Sequence, residues 1–303
     1  MPIDSSAALP DPAQGPDHGA HTPALDADWL AALRERSSTA PEPPRLPLGW
    51  LQSATPIGSI EPAWAERLLD AGLPLLATAS GWSVNALRGA ALDAALVDIA
   101  QALRVLGPAA RWRNELVTVA DIAGRPVSCI ERAAARALGI ATHAVHLVGA
   151  TPGGHVWVQQ RAFDKATDPG LWDTMVGGLV SHRESVRATL ARETEEEAGL
   201  QLRALNEVRP MGHVIVRRPV PEGYMVERIE MFQATVPVAR EPVNLDGEVA
   251  AFECLPRDVL WQRLRDGAFT LDATLILLHW LQRHGLVRQG RTEGTGAEPG
   301  SGP

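Results

Sequence analysis

The chemistry in this 303-residue sequence is concentrated between Gly177 and Leu200, GGLVSHRESVRATLARETEEEAGL. Four of the five residues from 193 to 197 are glutamate, interrupted only by Thr194. On a helix Glu193 stands at i, i+3 from Glu196 and i, i+4 from Glu197, so the three carboxylates project together. Like charges at these spacings oppose the helix, and they fall at its C-terminal end, where the macrodipole favours cations. A divalent cation reverses that balance. Mg²⁺ is a hard ion that takes carboxylate, water and phosphate oxygens. Arg192 reaches Glu196 at i+4, or Glu193 next to it, and can hold a carboxylate in place. Gly177 and Gly178 allow a close backbone approach and can offer a carbonyl to the metal. A bare glutamate cluster is most simply a solvated face. The glycine pair, Glu184, Arg192 and a closing Gly199 argue for a site instead.

Elements that position these residues are legible around them. Ser185 is a candidate N-cap and Gly199 a stop, and Val186, Leu190, Thr194 and Ala198 form an i+4 stripe that anchors the helix to a core. From about residue 143 the pattern reads as strands: Ala144–Gly149, His155–Arg161, Leu202–Val208, His213–Val216, Met225–Val236 and Glu248–Glu253, followed by helices over Pro256–Arg265 and Leu271–His284. The segment from about 48 to 140 reads as mostly helical. Leu92, Leu96, Ile99 and Leu103 share one face of a helix over Ala90–Leu106 that Gly107-Pro108 stops, and Ser128–Leu138 is a second candidate with Ser128 as N-cap. A short helix over Trp29–Arg36 precedes a proline-rich break. The expected class is α+β, with a disordered tail over 1–25, a helix-rich domain over 26–140, a mixed α+β domain over 141–287, and a second tail over 288–303.

Composition excludes several function classes. Net charge is −8, with a pI of about 5.6, which disfavours polyanion or acidic-membrane binding by a basic face. Cys129 and Cys254 lie far apart in no metal-ligand spacing and read as buried small hydrophobes. The N-terminus lacks the charged and apolar regions of a secretory signal, so a cytoplasmic location is the expectation. Of 28 basic side chains only Lys165 is a lysine.

The run Gly178, Glu184, Arg192, Glu193, Glu196, Glu197, Gly199 and Leu200 resembles the signature box of the Nudix hydrolases, with Thr194 replacing an aliphatic residue. The stretches RWRNEL, IERAAARALGI, QQRAFDKATDPGLWDTMVGG and NLDGEVAAFE extend the likeness to roughly Leu48–Leu286. They resemble a subgroup in which a DUF4743-type N-terminal domain precedes the hydrolase, similar to thiamine diphosphate phosphatases and to the C-terminal part of thiamine pyrophosphokinase fusions.

That resemblance implies a Nudix fold, a mixed sheet between helices, and hydrolysis of a diphosphate linked to an organic moiety. Mg²⁺ is the implied cofactor, with Mn²⁺ as an alternative. Glu193 and Glu197 are the implied principal ligands, with Glu196 sharing their shell and Gly178 adding backbone. Glu184 supports that shell and Arg192 orients Glu193. Glu248, in DGEV, is the candidate general base or extra ligand, against a plain turn at 244–247. Arg161 and Lys165 are candidate phosphate contacts. Trp172 or Tyr224 could stack on a flat ring, against ordinary core packing, and His143 and His146 read as structural. The suggested substrate is thiamine diphosphate or a damaged analogue, giving the monophosphate and phosphate; a nucleoside diphosphate derivative is the alternative. The expected partner is thus a small-molecule diphosphate, with no nucleic acid or membrane and with a homodimer as a further expectation. Two rivals share the fold. An isopentenyl-diphosphate-isomerase-like enzyme needs a catalytic cysteine in a context absent here, and a non-catalytic ligand sensor typically erodes the box that this chain keeps.

Overall fold

A computed structural model describes residues 25–287, except 54, 166 and 246. The expected tails over 1–25 and 288–303 lie outside the described residues, apart from Leu25, which is buried. No helix among the described residues is long and apolar enough to cross a membrane.

The first half of the chain runs α1 (Ala27–Ser37), β1 (Leu46–Trp50), β2 (Gly58–Ile60), α2 (Pro62–Asp70), β3 (Leu75–Thr78), β4 (Gly81–Val84), α3 (Ala90–Leu106), β5 (Leu116–Ala120), β6 (Pro126–Glu131) and α4 (Arg132–Ala137). Strands β2-β1-β4-β3 form a four-stranded sheet and β5-β6 a hairpin. Helix α3 has the bounds expected of it. Leu92, Leu96, Ile99 and Leu103 are buried in one core with Leu48, Ile60 and Leu68. Each such side chain contributes about 1.5–3 kcal/mol through burial.

Six short strands thus share the segment expected to be mostly helical. The helix expected over Ser128–Leu138 is shorter. Ser128 lies in β6 opposite Val119, and Glu131 caps α4 by accepting from the Ala133 N–H. Val127 and Ile130 suit a strand, and β5 supplies a partner that local pattern does not reveal.

The second half runs β7 (Ala141–Ala150), β8 (Val156–Arg161), β9 (Trp172–Thr174), β10 (Val176–Leu179), α5 (Val186–Ala198), a 3₁₀ turn (Leu202–Ala204), β11 (Asn206–Val220), β12 (Gly223–Thr235), β13 (Val249–Leu255), α6 (Arg257–Arg265) and α7 (Leu271–Arg283). These strands form one mixed sheet in the order β11-β12-β7-β8-β13, with β10 on β7 and β9 on β8. Strand β7 is buried from Ala144 to Gly149 on both faces, as a central strand must be. One face packs against α5 through Leu190 and Ala198; the other packs against α6 and α7, with Leu25 and Leu33 of the α1 region in the same core. The class is therefore α+β, with a mixed sheet between helices as expected.

The strand expected over Leu202–Val208 starts later, at Asn206, and continues through His213–Val216 as one long β11. Pro210 and Gly212 look like breaks in sequence, but irregular pairing with β12 absorbs them.

Candidate functional site

The box helix is fixed at both ends by its own sequence. Ser185 Oγ accepts from the Ala188 N–H at 3.2 Å, and Gly199 closes α5 in the left-handed region at φ 63°. Leu190, Thr194 and Ala198 face the core, as the i+4 stripe predicts, while Val186 is half-buried. Thr194 fills its aliphatic position by donating its hydroxyl to the Leu190 carbonyl.

Packing of α5 on β10 sets the carboxylates. Gly178 pairs with Val145 of β7, and a Cβ there would overlap the carboxyl group of Glu193. Only glycine lets Glu193 come this close to the strand. Gly177 has two neighbours of the same kind. Its N–H donates to Glu197 Oε2 at 2.9 Å, and a Cβ on it would lie 2.7 Å from the His146 ring. Gln159 Nε2 of β8 donates to the same Glu197 oxygen at 3.0 Å, while Gln159 Oε1 is buried without a hydrogen-bond partner.

Arg192 links the other acids. Its Nε and Nη2 each donate to a Glu184 oxygen at 3.0 Å, and Nη1 meets Glu193 at 2.9 Å and Glu196 at 2.8 Å. Both sequence options for this arginine are realised, and Glu184 is added as its bidentate partner. Thr189 Oγ1 donates to Glu184 at 2.8 Å. Glu196 is the most exposed of the four acids, its side chain 49% accessible.

Burial pushes the Glu193 carboxyl up to about 7 despite Arg192, and burial pushes Glu197 up to about 8 despite the Gly177 N–H and Gln159. The hydrogen bonds from Arg192 hold Glu184 low. Two buried carboxylates whose ionised forms are unfavourable suit a hard dication, and every donor here is oxygen. Among the described residues, no three His, Cys, Asp or Glu side chains already surround one point at metal spacing. Arg192 Nη1 stands between Glu193 and Glu196 instead.

A cavity of about 230 Å³ adjoins this cluster at Gly177, Gly178 and Glu248. Glu248 follows the expected turn, in which Asn244 Oδ1 accepts from the Gly247 N–H at 2.9 Å, and it also reaches the site, where its charge acts on Glu193. The turn reading and the site reading of Glu248 are therefore compatible. Lys165 forms an ion pair with Glu248. Burial raises the Glu248 carboxyl, but the Lys165 contact and the charges of Arg132 and Arg113 outweigh it and leave the group below its ordinary value. Arg161 lines the cavity with its guanidinium committed to the Thr167 carbonyl, at 2.9 and 3.2 Å, and to Asp173 at 3.4 Å.

Several cavity residues were not singled out from sequence. The wall also holds Asp173, Glu227, Asp272 and four arginines from the 108–136 segment. Nothing in the box spacing indicates them, because they come from strands and helices distant in the chain. His146 is buried against Thr174 at 2.8 Å, and burial pushes its imidazole below the ordinary value; these contacts fit the structural reading. His143 lies exposed on the same strand. Tyr224 is buried, and its hydroxyl donates to the Thr39 carbonyl at 2.9 Å. Trp172 packs on the α6–α7 core under Arg263. Core packing accounts for both rings. Cys129 and Cys254 are only half-buried, and burial raises both thiols, Cys254 to about 11.

Residues 141–275 match the family model described as NUDIX domain. The chain is 32% identical over 183 residues to Nudix hydrolase 24, chloroplastic, of Arabidopsis thaliana, covering 58% of this chain and 50% of that protein. It is 29% identical over 199 residues to Nudix hydrolase 20, chloroplastic, of the same plant, covering 64% and 53% respectively. The chain spans about half the length of these curated relatives. Among solved structures, DR0079 from Deinococcus radiodurans is similar with a TM-score of 0.43 at 21% identity, covering 55% of this chain and 98% of that one.

Proposed function

We propose that this chain, whose residues 141–275 form a NUDIX domain, is an Mg²⁺-dependent hydrolase of a diphosphate linked to an organic moiety. The observation that supports this reading most is the seating of Glu193 against Gly178, beside Glu197 on the Gly177 N–H, at the edge of a cavity whose wall carries both arginines and carboxylates. Glu193, Glu197 and Glu196 would hold the metal, with Gly178 supplying backbone. Bound Mg²⁺, or Mn²⁺, would neutralise diphosphate oxygens and lower the pKa of the attacking water.

The chain's own residues do the rest. Arg192 and Glu184 fix the direction of the Glu193 and Glu196 carboxylates. Glu248, kept ionised by Lys165, accepts the proton of the attacking water. Lys165 and Arg161 add positive charge on the phosphate side, and Lys165 can exchange Glu248 for phosphate. Thiamine diphosphate or a damaged analogue is the finer reading, carried by the resemblance alone; a nucleoside diphosphate derivative is the broader one.

The test is release of phosphate or pyrophosphate by purified protein with Mg²⁺, across thiamine diphosphate, its oxidised forms, ADP-ribose, NADH and nucleotides. Metal-dependent release that Glu196→Gln weakens supports the reading. Silence on every substrate, with Glu196→Gln indistinguishable from wild type, overturns it.

A further inference from the structure

The stretches RWRNEL and IERAAARALGI carry no box residue, yet both line the cavity. Their share of the wall includes Arg111, Arg113, Arg132 and Arg136 and no acidic side chain. Arg132 pairs with Glu115 at 2.7 Å and Arg136 with Glu222 at 3.7 Å. The guanidinium groups of Arg111 and Arg113 make no ion pair or hydrogen bond among the described residues, although the charge of Arg113 acts on Glu248.

Their placement is tied to the box. The His182 N–H donates to the Leu116 carbonyl at 2.7 Å, and Thr118 Oγ1 lies 3.1 Å from His182 Nδ1. Ser181 Oγ donates to Glu115 Oε1 at 3.1 Å, and the Arg113 N–H donates to Glu131 at 2.9 Å. The loop that carries Glu184 is therefore hydrogen-bonded directly to the strand that follows Arg111 and Arg113.

We infer that the segment before the NUDIX domain completes the anion site, with Arg111 and Arg113 contacting phosphate oxygens of the substrate. The inference rests on the hydrolase reading and names which wall grips the diphosphate. A guanidinium presents a planar fork that matches phosphate oxygens and stays charged at any working pH. One side of the diphosphate would meet the carboxylate pole through the metal, and the opposite side would meet these two arginines.

The test is calorimetric binding of inorganic pyrophosphate to the full chain, in EDTA and again in Mg²⁺, for wild type, Arg111→Ala/Arg113→Ala and Arg111→Lys/Arg113→Lys. The alanine pair should weaken binding in EDTA at least about ten-fold, as loss of charged hydrogen bonds does. The lysine pair should recover part of it. In turnover the alanine pair should raise KM by more than it lowers kcat. An unchanged Mg²⁺-induced rise in melting temperature shows that the variant is folded with its box intact.

Wild-type protein that binds no pyrophosphate in either condition overturns the inference, as does an alanine pair that matches wild type. The two readings fail separately. Protein silent on every diphosphate but losing pyrophosphate affinity in the alanine pair sinks only the hydrolase. Active protein with unchanged affinity sinks only the arginine site.

Discussion

The guanidinium of Arg192 meets the carboxylate of Glu184 side-on, with Nε and Nη2 each 3.0 Å from a different oxygen. The third nitrogen, Nη1, is thereby aimed at Glu193 and Glu196. One side chain thus orients three acids, because its fork is rigid.

Replacing Arg192 with Lys keeps the charge and loses the fork. Turnover in saturating Mg²⁺ should fall about 10–100-fold, the usual cost of losing an outer partner of a metal ligand. A mere charge requirement predicts near-wild-type rates for the lysine variant, so steady-state kinetics with a melting curve as fold control decides the point.

Gly178→Ala should be as damaging, for a steric reason. The new Cβ overlaps the Glu193 carboxyl group, which must leave its place on β10. The Mg²⁺ concentration for half-maximal activity should rise at least about ten-fold, in the range found for disturbed ligand shells. An unchanged metal requirement would show that Glu193 works from another position.

Glu197→Gln separates the metal-free from the metal-bound protein. The amide keeps an oxygen for the Gly177 N–H and the Gln159 amide and removes a buried charge. In EDTA at a pH above about 8 the variant should melt at or above the wild-type temperature, since it escapes the cost of ionising a buried acid. With Mg²⁺ added, wild type should gain stability by mass action and the variant should not. Differential scanning fluorimetry in the two buffers reads both signs.

The pH dependence follows from the same groups. Glu193 and Glu197 hold their protons to about 7 and about 8 when folded, above the ordinary 4.5. Between those values the unfolded chain has released its protons and the folded chain has not. Their contribution to metal-free stability is thus complete below about 4.5, falls as pH rises from there, and is gone above about 8. Metal binding needs both groups ionised, so Mg²⁺ should raise the melting temperature more at about pH 8 than at about pH 6. Equal increments at both would contradict this assignment of ligands.

Lys165→Ala should raise KM more than it lowers kcat if the lysine contacts phosphate. Its pairing with Glu248 adds a second signature. Removing the cation relieves the downward pull on that carboxyl, so the acidic limb of the pH–rate profile should move up. An unmoved limb together with an unchanged KM would reduce the ion pair to a surface contact.

Much of the site was legible because its encoding is local. Ser185, Gly199 and the Val186, Leu190, Thr194, Ala198 stripe set the helix and its buried face, and i, i+3 and i, i+4 spacing alone gathers Glu193, Glu196 and Glu197. The long strand β7 was readable over Ala144–Gly149 as an apolar run, β12 over Met225–Val236 as a strand despite its charged residues, and α3 as a periodic helix. The four- to six-residue strands β3 to β6 were not, because an apolar run of that length suits a strand or a helix turn equally until a partner is found.

The sequence by itself therefore determined the acidic helix, its caps and the oxygen-only donor set, which follow from spacing within a few turns, and the α+β class, which follows from the longer alternation of strand and helix patterns. Only the tertiary structure decided which way that chemistry faces. Glu197 points inward because β8 brings Gln159 and β10 brings Gly177 to it, from 38 and 20 residues away. Glu248 meets Lys165 across 83 residues because β13 leads out from the edge of the sheet beside β8. Arg111 and Arg113 reach the same cavity because a hairpin grips the loop before Glu184. Strand pairing and inter-element packing join residues with no periodic relation in the chain, and no window of the sequence contains both halves of these contacts.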